Sequence, residues 1–154
     1  MYTIQHLTSD HVVLMHGLLD CFGEAFDERD TYGDNRPDEA YLSKLLSDST
    51  FIALVALEKH QVVGGLAAYE LKKFEQPRSE IYIYDLAVAE NHRRRGIATA
   101  LIQELQNIAM IRGAWVVFVQ ADYVDEPAVR LYSKLGVREE VLHFDLPFQP
   151  KAEH

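Results

Sequence analysis

The fold is decided by one continuous stretch, residues 79–105, which reads SEIYIYDLAV-AENHRRRG-IATALIQEL. Its first ten residues are rich in β-branched and aromatic side chains and predict a strand over 79–88. Its last part repeats apolar residues every three to four positions and predicts an amphipathic helix over 97–111. A basic, glycine-bearing turn between a strand and a helix leaves unpaired backbone N–H groups beside the positive end of the helix dipole. The stretch therefore predicts a binding site for a phosphate or pyrophosphate.

The periodicity of apolar residues on either side predicts the other elements. An exposed acidic loop is expected over 27–36, and the strand at 115–120 is nearly all apolar, as in a sheet covered on both faces. The resulting order, βααβββαβαβ, indicates a mixed α/β (α+β) domain. The remaining strands are predicted over residues 2–7, 51–57, 62–71 and 138–146, and the remaining helices over 11–26, 37–47 and 127–135.

Composition limits the classes of function. The chain has 154 residues, of which 48% are hydrophobic and 25% charged, which predicts one folded domain over residues 1–154. Its 15 Lys and Arg against 24 Asp and Glu give a net charge of −9, which disfavours nucleic acid and favours a cationic partner. A single cysteine, the absence of a recognisable signal peptide and the absence of a long apolar run predict a cytoplasmic protein without a membrane span. The seven histidines follow no metal-ligand spacing, so no metal site is expected.

The basic turn has a recognisable pattern, Arg93-x-x-Gly96-x-Ala98. It resembles the acyl-CoA-binding turn of the GNAT superfamily of N-acetyltransferases, which reads Q/R-x-x-G-x-G/A, with Ala98 in place of the commoner glycine. Two further family features stand in the expected order: Leu-Ala-Val at 86–88 before the turn, and PAVRLYSKLG at 127–136 after it.

This resemblance implies a GNAT fold. Such a fold has a mixed central sheet of six to seven strands that splays between two parallel strands, flanked by about four helices. Acetyl-CoA would lie between the strands at 79–88 and 115–120. The residues that the resemblance assigns to acetyl-CoA are Leu86, Ala87, Val88, Arg93, Arg94, Arg95, Gly96, Ile97, Ala98, Thr99, Ala128 and Tyr132.

A closer resemblance covers residues 51–146, through FEQPRSEIYIYDLAV, HRRRGIATAL, QADYVDEPAVRLYSKLG and REEVLHFD. These stretches are similar to the aminoglycoside 3-N-acetyltransferases, the gentamicin-modifying branch of the superfamily. The resemblance implies acetyl transfer to the 3-amino group of the 2-deoxystreptamine ring, and hence antibiotic resistance. The alternatives are an acetyltransferase acting on a polyamine or a protein amine, and a CoA-binding module without catalysis.

Acetyl transfer to an ammonium group needs a base, and Asp85 is the first candidate. A carboxylate within an otherwise apolar strand is costly unless it is paired or used. Asp122 and an ordered water chain remain alternatives. By resemblance, Tyr132 is the proton donor to the departing thiolate. A structural role is the competing interpretation for each of these side chains.

A polycationic acceptor is expected to meet several carboxylates. One acidic group lies between the first two predicted helices, where the family forms a wall of its acceptor site, and another follows the strand at 115–120. Since the sequence supplies one strand at 138–146 where the fold often has two, a homodimer that completes the sheet edge is a hypothesis. The residues predicted to contact the acceptor are Asp27, Glu28, Asp30, Glu80, Tyr82, Asp85, Asp122, Asp125, Glu126, Glu140 and Asp145.

Overall fold

The computed structural model describes residues 1–148. By internal contacts the chain divides into two compact units, residues 1–120 and 121–154. The first unit contains five strands, three α-helices, a π turn (Asp30–Asp34) and a 3₁₀ turn (Glu90–His92), and the described part of the second, residues 121–148, contains one α-helix. In chain order the strands and α-helices are β1 (Thr3–His6), α1 (Val12–Ala25), α2 (Glu39–Ser47), β2 (Phe51–Glu58), β3 (Gln61–Lys72), β4 (Ser79–Val88), α3 (Ile97–Arg112), β5 (Ala114–Val119) and α4 (Glu126–Leu135).

The strands form one sheet in the order β1-β2-β3-β4-β5. The first four pair antiparallel, and β5 pairs parallel to β4. The parallel pairing ends at Ile83 opposite Val119, whereas β4 continues to Val88. Within the described residues, the last five positions of β4 therefore have no strand on their β5 side. The predicted separation of two parallel strands has this form.

The sheet is covered on both faces. One core contains Leu18 and Phe22 of α1, Leu42 of α2, and the alternate residues Ala53 and Val55 of β2. The intervening residues of β2, among them Ile52 and Leu54, are fully buried and lie on the opposite face, because successive strand residues alternate. That second face packs against the buried side of α3, made by Ile97, Leu101, Ile102, Leu105 and Ala109.

A β-bulge in β4 changes the face of its side chains. Ala68 of β3 pairs with Ile83, but the preceding Ala67 pairs with Asp85, so Tyr84 is one extra residue on β4. Without the bulge, Asp85 would share the α3 face with Ile83. With it, Asp85 lies on the α1 face beside Ala67.

The predicted helices and all but one of the predicted strands are confirmed to within two residues at each end. The prediction of six to seven strands is wrong for the described residues, which contain five. The segment 138–146, predicted to be the last strand, forms no strand. Its apolar side chains Val141, Leu142 and Phe144 are 69% to 83% exposed, so neither face of this segment is buried as a strand face would be.

No helix among residues 1–148 is long and apolar enough to cross a bilayer.

Candidate active site

The turn between β4 and α3 has the backbone geometry of an anion site. Arg94 and Gly96 both adopt left-handed conformations, with φ of +64° and +78°. The N-terminal cap of α3, Gly96, offers no side chain to the helix. Within the described part of the chain, the N–H groups of residues 94–99 make no hydrogen bond. Six consecutive free donors at a helix N-terminus fit a phosphate or pyrophosphate group, which supports the predicted CoA turn.

The three arginines of the turn differ in their partners. Arg95 makes two hydrogen bonds to the carboxylate of Glu58 at the end of β2, at 2.8 and 3.1 Å. His92 Nε2 lies 2.9 Å from the same carboxylate. Arg93 donates through Nε to the carbonyl of Val88 at 3.1 Å. Among residues 1–148, neither Arg93 nor Arg94 makes an ion pair, so the charges of both remain available to an anion, and Arg94 is the one whose side chain makes no hydrogen bond.

Glu58 was not predicted from the sequence, and it fixes this turn. The hydrogen bonds from Arg95, followed by that from the α-amino group of Met1, lower the pKa of Glu58 to about 2. The carboxylate therefore stays ionised at every ordinary pH. It binds the side of the turn that faces β2 and leaves the free N–H groups undisturbed.

The edge of β4 leads into this turn. On one side Ala87 and Val88 pair with Gly65 and Gly64 of β3. The glycines permit this close packing, because a Cβ on Gly64 would lie 3.0 Å from the carbonyl oxygen of Ala87. On the other side no strand of the described chain follows β4 beyond Ile83. The backbone of residues 86–88 therefore presents an open strand edge that leads to the free N–H groups of the turn, with the Val88 carbonyl already bonded to Arg93.

Asp85, the predicted base, precedes this open edge and is half-buried. The hydroxyl of Tyr32 donates a hydrogen bond to its Oδ2 at 2.8 Å. Burial raises the pKa of Asp85, the hydrogen bond from Tyr32 lowers it, and the nearby Glu28 carboxylate raises it, with a net rise. Burial and the same hydrogen bond raise the pKa of Tyr32 far above its usual value, so its phenol stays protonated. A carboxylate with a raised pKa is a better proton acceptor near neutral pH.

The π turn that carries Tyr32 is held in place by Arg36. Arg36 donates to the carbonyl of Tyr32 through Nε and Nη2, at 3.2 and 2.7 Å, and to Asp20 at 2.7 Å. The ring of Tyr32 packs against Phe22 and Phe26 with centroids 5.7 and 5.8 Å away. Tyr32 therefore approaches Asp85 from a fixed position. Sequence reasoning placed this loop at the acceptor site but missed Tyr32, since a single loop tyrosine carries no periodic signal.

The acids predicted to bind the acceptor have different surroundings. Asp27, Glu28 and Asp30 are exposed around a shallow depression at residues 27–31. Glu80 lies near the start of β4 and is 3.6 Å from Lys73 Nζ, so part of its charge is already neutralised. The hydroxyl of Tyr82 donates to Gln120 at 2.9 Å.

The second unit holds the remaining predicted residues. Asp125 caps α4 by accepting a hydrogen bond from the N–H of Ala128 at 3.3 Å. Burial, aided by the Asp125 carboxylate, raises the pKa of Tyr132 to about 12. Asp122 and Glu126 are exposed. Glu140 is bonded to Tyr123 and Arg138, and Asp145 lies 3.0 Å from His143 Nε2. These last two acids thus already have partners within their own unit.

Metal binding was not expected, and residues 1–148 contain no group of three or more His, Cys, Asp or Glu that could hold a metal ion.

A strand, a turn with free backbone N–H groups and a helix stand beside an open strand edge and a half-buried carboxylate, an arrangement that fits an acyl-CoA-dependent transferase. Residues 14–137 match the model of the Acetyltransferase (GNAT) family. The chain belongs to the GNAT family of acetyltransferases.

Similar proteins fall into two groups. A solved aminoglycoside acetyltransferase from an uncultured soil metagenomic sample is 62% identical, with a TM-score of 0.94, and the match covers 97% of this chain and 99% of that one. A second such enzyme from soil, solved with sisomicin, is 32% identical with a TM-score of 0.89, over 96% of this chain and 97% of that one.

Curated relatives are more distant. N-acetyltransferase 8B of Rattus norvegicus is 31% identical over 99 residues, which are 64% of this chain and 45% of the relative. The chain thus spans just under half the length of the curated relatives it matches.

Proposed function

We propose that the protein transfers an acetyl group from acetyl-CoA to the 3-amino group of the 2-deoxystreptamine ring of gentamicin-like aminoglycosides, and so confers resistance. The observation that carries this proposal is the half-buried Asp85, hydrogen-bonded by Tyr32 and placed directly before the open edge of β4. The 62% identical neighbour, itself described as an aminoglycoside acetyltransferase, supports this class of acceptor.

The donor side rests on backbone groups and on the cationic side chains of the turn. The open edge at Leu86, Ala87 and Val88 would hold the extended pantetheine arm by main-chain hydrogen bonds. The N–H groups of residues 94–99 would hold the pyrophosphate, with Arg94 adding a charge-assisted contact. Acetyl-CoA supplies an acetyl thioester, whose acyl carbon accepts the amine. Arg95 holds the turn through its bonds to Glu58, and Arg93 holds it through its bond to the Val88 carbonyl.

The acceptor nitrogen must lose two protons to become an amide, and the leaving thiolate must gain one. Asp85 would take a proton from the acceptor ammonium, freeing the nitrogen lone pair for attack in a ternary complex. Its raised pKa suits this role, and Asp122 and an ordered water chain stay as alternatives. Tyr132 would hold a proton at its phenol oxygen for the departing thiolate, and Ala128, one turn earlier on α4, would leave room for the donor. The second N–H proton, lost as the amide forms and the C–S bond breaks, would restore the phenol of Tyr132, and the proton held by Asp85 would pass to solvent, so the net reaction releases one proton.

A cationic acceptor agrees with the charge of the chain. The exposed carboxylates of residues 27–30 lie in the same loop region as Tyr32, and their attraction for an aminoglycoside would add up. Asp122, Asp125 and Glu126 are the acids of the second unit that we include in the acceptor site. The family match runs across both units, and we treat residues 1–154 as one catalytic domain. A homodimer stays a prediction, which light scattering at assay concentration tests.

Two other functions make different predictions. An enzyme for polyamines would use the same acids but would acetylate spermidine faster than gentamicin. A CoA-binding module would bind acetyl-CoA and release no thiol with either amine.

The test is thiol release from acetyl-CoA with gentamicin or spermidine as acceptor, followed by location of the new acetamide by NMR. Fast turnover with gentamicin and acetylation at the 3-amine is the expected result. Acetylation at another amine would correct the position while leaving the acceptor class in place. Turnover with spermidine alone would overturn the acceptor class.

A further inference from the structure

The sequence of β4 contains three aromatic or acidic side chains close together, in YIYD at 82–85. A regular strand would send Tyr82 and Tyr84 to one face and Asp85 to the other. The bulge at Tyr84 shifts this alternation, so that Asp85 joins the two tyrosines on the α1 face of the sheet. The strand therefore presents two phenol rings and the proposed base on the same surface.

Neighbouring strands extend these rings into a continuous surface. The ring of Tyr84 contacts Tyr69 of β3 and Tyr82, with centroids 5.9 and 5.8 Å away, both edge-to-face. The ring of Tyr82 stacks on Phe118 of β5 at 4.8 Å and an interplanar angle of 7°. We call Tyr69, Tyr84, Tyr82 and Phe118 the aromatic band. It crosses β3, β4 and β5 and passes beside Asp85.

The band is open to solvent in the part next to the base. Tyr69 is 38% exposed and Tyr84 62% exposed. Burial, followed by the charges of neighbouring groups that include Asp85, raises the pKa of both Tyr69 and Tyr82, so these phenols are neutral at ordinary pH. Their faces carry the negative part of the ring quadrupole, which attracts cations and packs against the C–H groups of a sugar ring.

We propose that the aromatic band is a binding subsite for a ring of the acceptor, and that it selects a cyclic aminosugar over a linear polyamine. This inference rests on the proposed function, because it takes Asp85 as the base next to the band. Charge complementarity supports this occupant: the band supplies flat apolar area, and Asp85 with the acidic loop of residues 27–30 supplies carboxylates for the amino groups. A linear polyamine can use the carboxylates but offers no ring to cover the phenol faces.

The experiment measures binding of sisomicin and of spermidine, by calorimetry, to the full chain saturated with CoA. Tyr84→Ala removes the most exposed ring of the band, and Tyr84→Phe keeps the ring without the hydroxyl. We expect Tyr84→Ala to weaken sisomicin about five- to twentyfold, Tyr84→Phe less than about twofold, and spermidine to change by less than about twofold in both. Phe74→Ala, which removes a 99% exposed ring outside the band, is the matched control and leaves both affinities unchanged.

Each other outcome decides against the inference. Unchanged sisomicin affinity in Tyr84→Ala would overturn the subsite while leaving the proposed acetyl transfer intact. Equal weakening of sisomicin and spermidine would show that the band binds a cation without selecting a ring. If the wild-type protein binds CoA but neither amine, the proposed acceptor class fails and the subsite fails with it. A thermal unfolding curve of Tyr84→Ala that matches the wild-type curve excludes misfolding as the cause of a change in affinity. Tyr82→Phe is measured as a second variant of the band.

Discussion

Tyr32→Phe is the substitution that tests most directly whether Asp85 is the base. It removes one hydroxyl and keeps the ring that packs on Phe22 and Phe26. The lost hydrogen bond, 2.8 Å long, is donated to the ionised form of Asp85. Without it the protonated carboxyl is favoured, so the pKa of Asp85, already above its usual value, rises further.

The size of this shift follows from the strength of the bond. A hydrogen bond to a charged group contributes about 1.5–3 kcal/mol, and the lower end applies because neither side chain is fully buried. Since one pKa unit corresponds to about 1.4 kcal/mol, the pKa of Asp85 should rise by about one unit. If ionised Asp85 accepts the proton, kcat/KM increases with pH up to a plateau, and in the variant that increase moves upward by about one pH unit. Below the transition the variant is then about tenfold slower, and on the plateau it equals wild type.

The assay is thiol release from acetyl-CoA with gentamicin, followed from about pH 5 to pH 9. Tyr41→Phe is the control, because Tyr41 is an exposed tyrosine of α2 whose hydroxyl makes no hydrogen bond within residues 1–148. An acid limb that does not move in Tyr32→Phe would refute the assignment of Asp85 as the base. A uniform loss at every pH would refute the effect on the pKa and leave Tyr32 with a role in positioning alone.

The remaining predictions concern the other groups of the site. Asp85→Asn should lower kcat/KM by about 10²- to 10⁴-fold while acetyl-CoA affinity, measured by calorimetry, stays within about twofold; equal rates at pH 7 would remove Asp85 as the base. Tyr132→Phe should lower kcat by at least about tenfold with an unchanged dissociation constant for CoA, and a normal kcat would mean that another group protonates the thiolate. Arg94→Ala should weaken CoA about three- to tenfold at low salt and less at 0.5 M salt, whereas a deficit independent of salt would contradict a charge contact. Glu58→Gln should also weaken CoA, by about fivefold, because the turn loses its anchor; tighter binding would mean that Glu58 acts on the ligand only as a repelling charge.

Much of the fold is local in origin and was predictable for that reason. The strand at 79–88 and the helix that begins at Ile97 carry their own patterns, and both are present with those limits. The turn at residues 93–98, which we propose binds CoA, is equally local, since its glycine and its position between strand and helix are visible in the sequence. The strand predicted at 138–146 shows the limit of this reasoning, because an alternating pattern does not reveal whether another strand is available to pair with it.

The site depended more on features that sequence patterns do not carry. Asp85 was predictable as a carboxylate in an apolar strand, but its partner Tyr32 lies 53 residues away in a loop. Glu58 and Arg95 are 37 residues apart in the chain, and no sequence pattern at either position indicates that they pair. The resemblance therefore implies CoA contacts for all three arginines alike, whereas in the structure Arg95 pairs with Glu58 and Arg93 bonds to the Val88 carbonyl.

The bulge at Tyr84 links the open edge of β4 to the position of Asp85. In the proposed function, β4 supplies an open backbone edge for the donor and the Asp85 carboxylate for the acceptor, so its backbone and its side chains must be directed independently. One extra residue achieves this, because it reverses the alternation of side chains after Ile83 without ending the pairing of Leu86, Ala87 and Val88 with β3. The carboxylate is thereby moved out of the α3 core, where its burial would be costly, to the face where Tyr32 binds it. The same residue adds the most exposed ring of the aromatic band, so the bulge that positions the proposed base also shapes the surface that would receive the acceptor.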